Sequence, residues 1–265
     1  MTKKYIVIGN PIDHSLSPAI HNHWFKKNKI DAFYDKELVD KENLNTIIDK
    51  IRNKDLDGAN VTVPFKNLIV PLVDRLTSEA DITKSVNTIY LDGKEVVGHN
   101  TDIAGFELAI RYCKYDVTDK KVLILGAGGV VSSVIYALNK MKPKNITLSN
   151  RTKEKAEGLK KIFPEIKIIN WGETTEFDMI INATSIGLNE HDSFNLNFQK
   201  FGKNKFFYDV IYKPKQTVFL KEAKKLGNQV ENGKMMFIYQ AHQAFAVWNK
   251  IFPLIDNEVI DLIDL

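Results

Sequence analysis

The sequence predicts an α/β protein built as two α/β domains with a cleft between them. Three observations predict it. Apolar, strand-like runs alternate with helical stripes along the whole chain. A polar segment, residues 114–120, separates two such series and reads as a linker. The second series opens with a strand, a glycine turn and a helix, the layout of a Rossmann-type nucleotide-binding unit. A chain of 265 residues has length for two cores.

Each element follows from local pattern. Residues 5–8, Tyr-Ile-Val-Ile after Lys3-Lys4, form a first strand and are too few for a secretory leader. Ser17 reads as the N-cap of a helix with Pro18 at its first position. Residues 32–38 make a second strand, and Leu44, Ile47, Ile48 and Ile51 share one helical face. A third strand, 59–63, stops at Pro64. Residues 86–91 and 96–99 flank Asp92-Gly93 as a hairpin. A helix over 103–113 precedes the linker. After it come a strand at 122–125 and a helix carrying Val130, Val131, Val134, Ile135, Leu138 and Met141 on one stripe. A strand at 146–148, a helix to about 163, and strands at 166–169, 179–182 and 206–211 continue the alternation. Helices at 218–226 and 235–251 and a short terminal one complete it. Strands separated by helices predict parallel sheets in both halves.

Composition narrows the function. Hydrophobic content of 44% and charged content of 26% suit a soluble globular protein and exclude a disordered one. The net charge of +4 is small and the lysines are scattered, so no nucleic-acid or membrane surface is expected. No apolar run reaches membrane-spanning length. The single cysteine, Cys113, precludes an internal disulfide and fits the reducing cytoplasm. It continues the stripe Ile103, Phe106, Ile110, which reads as a buried spectator. There is no Cys/His spacing of a metal site, so none is expected.

Gly126-Ala127-Gly128-Gly129 lies between strand and helix, where the backbone can approach a pyrophosphate and the helix N-terminus can stabilise it. Val131 occupies the third small position of the fingerprint, where a branched side chain would push the helix off the strand. An NAD site ends its second strand in an acid that holds the ribose 2′-OH. Here Asn150, Arg151 and Thr152 stand there, and a guanidinium favours the 2′-phosphate of NADP.

Four further polar clusters need a role. Ser15 and Ser17 alternate around Leu16, so an extended segment would aim both hydroxyls the same way. Asn60 and Thr62 alternate around Val61, and Lys66 follows the strand's C-terminal end, where open α/β sheets bind ligands. Ser85-Val86-Asn87-Thr88 is the third cluster. Asn100-Thr101-Asp102 is the fourth, and Asp102 there is also placed to cap a helix.

In order along the chain, these motifs resemble the shikimate dehydrogenase family. The resemblance rests on Gly9-Asn10-Pro11, His14 to Pro18, His21-Asn22, Asn60 to Lys66, Val86-Asn87-Thr88, Asn100-Thr101-Asp102, the glycine turn and Asn150-Arg151-Thr152. It continues through Asn182-Ala183-Thr184-Ser185, Asp209 to Pro214 and Gly233 to Ala241. It departs at Val131 and at Ser132-Ser133. The resemblance implies reversible, NADPH-dependent reduction of 3-dehydroshikimate to shikimate, toward chorismate and the aromatic amino acids. It implies a substrate-binding and catalytic domain, residues 1–102 plus 237–265, and an NADP-binding domain, residues 103–236. Lys66 and Asp102 would be the catalytic pair. Ser15, Ser17, Thr62, Asn87, Tyr212 and Gln240 would join them in holding the substrate. Gly126, Ala127, Gly128, Gly129, Val130, Asn150, Arg151, Thr152, Lys155 and Thr184 would hold NADP, with Ile211 and Gly233 near the nicotinamide. A monomer or homodimer is expected. A quinate/shikimate dehydrogenase and an inactive NADP-binding sensor stay open as alternatives. A methylenetetrahydrofolate dehydrogenase is disfavoured by Ser15/Ser17 and Asp102.

Overall fold

The computed structural model describes residues 2–173, 175–189, 192, 194, 196 and 198–264. The chain divides into two compact units, Met1–Gly105 with Ile238–Leu265, and Phe106–Phe237. The first division falls inside helix α4 (Asp102–Tyr112) and the second inside α8 (Lys234–Asn249). The polar segment 114–120 lies within the second unit.

The first unit runs β1 (Lys3–Gly9), α1 (Ser17–Lys27), β2 (Ala32–Leu38), α2 (Leu44–Arg52), β3 (Gly58–Val61), β4 (Arg75–Leu76), α3 (Ser78–Thr83), β5 (Thr88–Asp92) and β6 (Glu95–His99). Its sheet has the order β2-β1-β3-β5-β6-β4. The expected parallel sheet is found only in part. β1 pairs parallel with β2 and β3, but β5 is antiparallel to both β3 and β6. The short turn around Gly93, at φ +64°, can only return the chain antiparallel. Leu44, Ile47, Ile48 and Ile51 of α2 are all buried, and with Ile6, Ile8, Ala59, Val61, Ile89 and Val96 they form one core.

Three local expectations for this unit are corrected. β3 ends at Val61, not 63: its pairing with β5 stops at Asn60 opposite Thr88, although the Thr62 N–H still bonds Ile8 O of β1. Ser17 is the first residue of α1 and not its cap; its N–H donates to Ser15 Oγ at 3.3 Å. Leu16 sits at φ −93°, ψ 1°, so the segment around the two serines is a turn and not extended.

The second unit continues through β7 (Lys121–Leu125), α5 (Val131–Lys140), β8 (Asn145–Ser149), α6 (Lys153–Ile162), β9 (Lys167–Ile169), β10 (Met179–Asn182), β11 (Phe206–Asp209), α7 (Val218–Lys225) and β12 (Gln229–Glu231). β11 stops two residues before the expected end, since the Ile211 N–H bonds the Asp209 side chain and not a strand. The order β12-β11-β10-β7-β8-β9 is parallel throughout, a Rossmann-type sheet. Strand order reverses between β7 and β10, the point at which such sheets bind ligands. Val131, the departure from the glycine fingerprint, is completely buried at the start of α5. No helix among the described residues is long and apolar enough to cross a membrane.

His21, on α1, is wholly buried with both ring nitrogens free of hydrogen bonds, stacked on Tyr34 at 4.3 Å and 2°. Trp24, Phe25, Phe245 and Trp248 also surround it. Burial pulls its pKa down to about 3. An unfolded histidine titrates near ~6.5. The folded value is the lower, so the unfolded chain takes up the proton first on acidification. The stability is complete above about pH 6.5 and is lost as pH falls toward 3, at up to about 1.4 kcal/mol per unit. Urea denaturation of His21→Phe between pH 7 and pH 4 should therefore show a shallower loss than the parent. Buried His99 and His242 are present in both proteins and cancel in the comparison. Parallel curves would remove His21 as the cause.

Candidate active site

In the first unit the sequence-marked polar residues converge at one side of the β3-β5-β6 ladder. Lys66 follows β3, and its carbonyl accepts from the Val86 N–H at 2.9 Å, which ties it to the residue before Asn87. Its Nζ donates to Asp102 Oδ2 at 2.5 Å, with the two side chains only 11% and 6% exposed. Asn87 Nδ2 donates to the other carboxylate oxygen, Asp102 Oδ1, at 2.9 Å, and approaches Gln240 Oε1 at 3.4 Å. Asp102 begins α4 but does not cap it. Asn100 Oδ1 accepts the Asp102 N–H at 3.1 Å, leaving both carboxylate oxygens for Lys66 and Asn87.

The remaining members are placed by backbone. Gly9 is required where β1 ends: a Cβ there would stand 2.6 Å from Thr62 Cγ2. Ser15 is half-buried and Ser17 buried. Lys66, Asp102, Asn87 and Gln240 thus meet directly, while Ser15 contacts Ser17 and Thr62 lies against Gly9 at the end of β1. Tyr212 belongs to the second unit, where its ring stacks on Phe237 at 4.5 Å and burial raises its phenol to about 12. Tyr34, Asn60 and Thr88 form part of the same buried network; Asn60 and Thr88 fall in marked polar clusters, whereas nothing in the sequence around Tyr34 points to it.

The second unit supplies a cradle that side chains would fill. Gly126 stands at φ +107°, and a Cβ on it would lie 2.6 Å from the Ala183 carbonyl oxygen. The β7 and β10 ends meet there because Leu125 and Asn182 are register partners. The Gly126 N–H donates to Ser149 O at 2.8 Å, which brings Asn150 beside the turn. Gly128 is exposed, and a Cβ on it would find its nearest atom, Ala183 O, only at 3.9 Å. Ala127, Gly129 and Val130 complete the turn into α5. Arg151 is exposed and has no hydrogen-bond or ion-pair partner among the described residues. Thr152 precedes α6 and Lys155 is exposed in its first turn. The Asn150 amide bonds Thr152 O at 2.6 Å. Open backbone at Gly128, the α5 N-terminus and an unpaired guanidinium fit a dinucleotide carrying a 2′-phosphate.

Sequence reasoning gave no role to Asn182, Asp209 and Thr217, which lock the far side of this cradle. Asp209 is fully buried and accepts from Thr217 Oγ1 at 2.6 Å, the Ile211 N–H at 3.0 Å and Asn182 Nδ2 at 3.0 Å. Burial nevertheless raises its pKa to about 6. Asn182 Oδ1 accepts both the N–H and the hydroxyl of Thr184, so that hydroxyl is committed within its own loop. The Gly233 N–H donates to Ile211 O at 3.1 Å, and a Cβ on Gly233 would collide with Val210 O at 2.1 Å. The signals for the buried cluster were position and motif: Asn182 and Asp209 are polar residues closing apolar strands, and both open motifs of the family resemblance without a role of their own.

Cys113 is half-buried, and burial with Glu231 beside it raises its thiol to about 12, so it stays protonated. His23, Asp256 and Glu258 bring ligand atoms within 4.8 Å of one another. Asp256 there caps α9 (Asn257–Asp261) through the Val259 N–H, and Glu258 pairs with Lys27 at 2.9 Å. Both carboxylates already have structural duties.

Comparison with known proteins agrees with this arrangement. Residues 7–89 match the family model described as shikimate dehydrogenase substrate binding domain, and residues 107–195 match that of shikimate / quinate 5-dehydrogenase. The shikimate dehydrogenase (NADP(+)) of Pelagibacter ubique (strain HTCC1062) is 57% identical over 265 residues, all of both chains. The chain belongs to the shikimate dehydrogenase family. The crystal structure of shikimate dehydrogenase from Aquifex aeolicus is 35% identical, with TM-score 0.91 over 99% of this chain and 97% of that one. Shikimate 5-dehydrogenase from Thermus thermophilus, in complex with NADP(H) and shikimate, is 28% identical with TM-score 0.90, over 99% and 98%. Members of this family thus share both units.

The two glycines should separate on substitution. Gly126→Ala combines a left-handed backbone with a carbonyl clash and should cost about 1–3 kcal/mol of stability. Gly128→Ala has room and should melt close to the parent. Differential scanning calorimetry of the pair checks this, and equal melting points would show that the Ala183 carbonyl yields.

Proposed function

We propose that this protein is an NADP-dependent shikimate dehydrogenase, reducing 3-dehydroshikimate reversibly to shikimate on the route to chorismate. The observation that carries the reading is the nearly buried Lys66–Asp102 pair, held at 2.5 Å with Asn87 on the second carboxylate oxygen. NADPH, when bound, supplies the hydride to the carbonyl carbon. That transfer leaves negative charge on the substrate oxygen. The Lys66 ammonium stabilises the charge and delivers the proton, which completes the alcohol. Asp102 orients the ammonium, and Asn87 keeps the carboxylate from rotating. In the direction of shikimate oxidation Lys66 accepts the same proton.

Ser15, Ser17, Thr62, Asn87, Tyr212 and Gln240 are assigned to the substrate's carboxylate and hydroxyls. Gly126, Ala127, Gly128, Gly129, Val130, Asn150, Arg151, Thr152, Lys155 and Thr184 are assigned to NADP, with Ile211 and Gly233 at the nicotinamide. A single cysteine with no partner for an internal disulfide supports a cytoplasmic protein. A monomer or homodimer is our reading of its state, for light scattering to decide.

The test of the activity is an absorbance assay with shikimate and quinate against NADP and NAD. Rapid reduction of NADP with shikimate is expected, and faster turnover of quinate would reassign the substrate. Lys66→Ala should lower kcat at least ~100-fold, with far smaller changes in shikimate and NADP affinity. Lys66→Arg should recover little, since a guanidinium does not give up its proton. A raised KM with near-normal kcat would make Lys66 an anchor only. Arg151→Ala should raise the KM for NADP roughly ten- to a hundredfold, the loss of one charge-assisted contact, and leave NAD use nearly unchanged.

A further inference from the structure

The hydrogen bonds behind the reacting pair have a direction that fixed backbone groups determine. Asn60 Nδ2 donates to the Asn87 carbonyl oxygen at 2.9 Å, which can only accept. That settles the Asn60 amide: its Oδ1 faces the Tyr34 hydroxyl at 2.7 Å, so Tyr34 donates. The second proton of Asn60 Nδ2 goes to Thr88 Oγ1 at 3.0 Å. Thr88 therefore accepts there, and its own proton goes to Asn87 Oδ1 at 3.0 Å, nearer than Thr101 Oγ1 at 3.3 Å, whose own hydroxyl also donates to Asn87 Oδ1. The Asn87 amide is settled independently, because the Thr101 N–H can only donate and meets Asn87 Oδ1 at 2.7 Å. Asn87 Nδ2 then faces Asp102 Oδ1. Along the path Tyr34, Asn60, Thr88, Asn87, each link donates toward the Asp102 carboxylate.

We propose that Tyr34, Asn60 and Thr88 are positioning residues for the reaction, a one-way chain of donors that sets the Asn87 amide and through it the Asp102 carboxylate. The inference rests on the reading of Lys66 and Asp102 as the reacting pair. The chain is built to be rigid. Asn60, Asn87, Thr88 and Thr101 are all buried, and Tyr34 is wholly enclosed. His21 lies flat on the Tyr34 ring at 4.3 Å, which fixes its rotamer. Burial raises the Tyr34 phenol well above its ordinary range, so it keeps the proton it donates. Bonds aligned head to tail polarise one another in a site closed to water. Losing Thr88's hydroxyl leaves Asn60 Nδ2 without one acceptor and Asn87 Oδ1 without one donor, which loosens the amide that faces Asp102.

Thr88 is the informative position, because it touches no proposed substrate residue except Asn87. Thr88→Val keeps the shape and removes the hydroxyl. We expect kcat to fall about tenfold, the scale of one buried hydrogen bond, with the KM for NADP within about twofold. Thr88→Ser should recover most of the loss. Tyr34→Phe should lower kcat in the parent but add little in Thr88→Val, where the chain is already cut. A second readout is independent of turnover. In nitrogen-15 spectra of the ligand-free protein, the Asn87 side-chain amide, identified by its loss in Asn87→Ala, should shift in Thr88→Val and return in Thr88→Ser. A kcat within about twofold of the parent in Thr88→Val, or an unmoved Asn87 amide, overturns the chain. If the parent itself fails to oxidise shikimate, the functional reading falls, while the amide spectra still decide whether the chain exists.

Discussion

A buried ion pair is tolerated only when each of its oxygens and protons finds a partner, and the first unit is organised around that constraint at Lys66–Asp102. Two charges at 11% and 6% exposure would be costly if the carboxylate could rotate. Asn87 prevents rotation from one side and Lys66 from the other. Asn100 takes over the start of α4, which frees Asp102 from the capping duty its position suggests. The polar residues of the β3-β5-β6 ladder are the structure that holds this pair in place.

The second unit is governed by a different limit, the closeness of backbone to backbone where strand order reverses. Gly126 against Ala183 and Gly233 against Val210 leave no space for a β-carbon. The buried Asp209 gathers Thr217, Asn182 and the Ile211 N–H, so the loops after β10 and β11 are tied to one carboxylate. Rigid loop ends around an open glycine are what a phosphate-bearing ligand needs for close approach. The two units thus divide the work by chemistry: one holds charged side chains in a dry place, the other clears backbone for a large anion.

Much of this was legible in sequence, and the reasons are specific. The stripe Leu44, Ile47, Ile48, Ile51 marks α2 because a helix needs one apolar face, and all four are buried. The glycine turn marks the Rossmann-type unit because only glycine accepts φ +107° beside a carbonyl. Ser17 reads as a cap because Ser-Pro is a common start signal, whereas here the serine sits inside the helix and Ser15 receives its N–H. β3 reads too long because Thr62 and Val63 carry strand-like side chains, and only the pairing with β5, which stops at Asn60 opposite Thr88, marks the end of the strand. The second sheet is parallel, as strand–helix alternation requires; the first is mixed, since a hairpin overrides alternation.

What the sequence by itself determined were the properties that repeat locally or that motifs carry: the elements, the glycine cradle, the family, and the polar clusters that contain Lys66 and Asp102. What only the tertiary structure decided is who donates to whom. Tyr34 and Asn60 are 26 residues apart, and Asn87 and Gln240 are 153 apart. A hydrogen bond of that range leaves no periodic trace, because one partner's choice depends on a backbone group delivered by a different strand. Periodicity reports which face is buried; the direction of each proton within that face exists only once the strands have met.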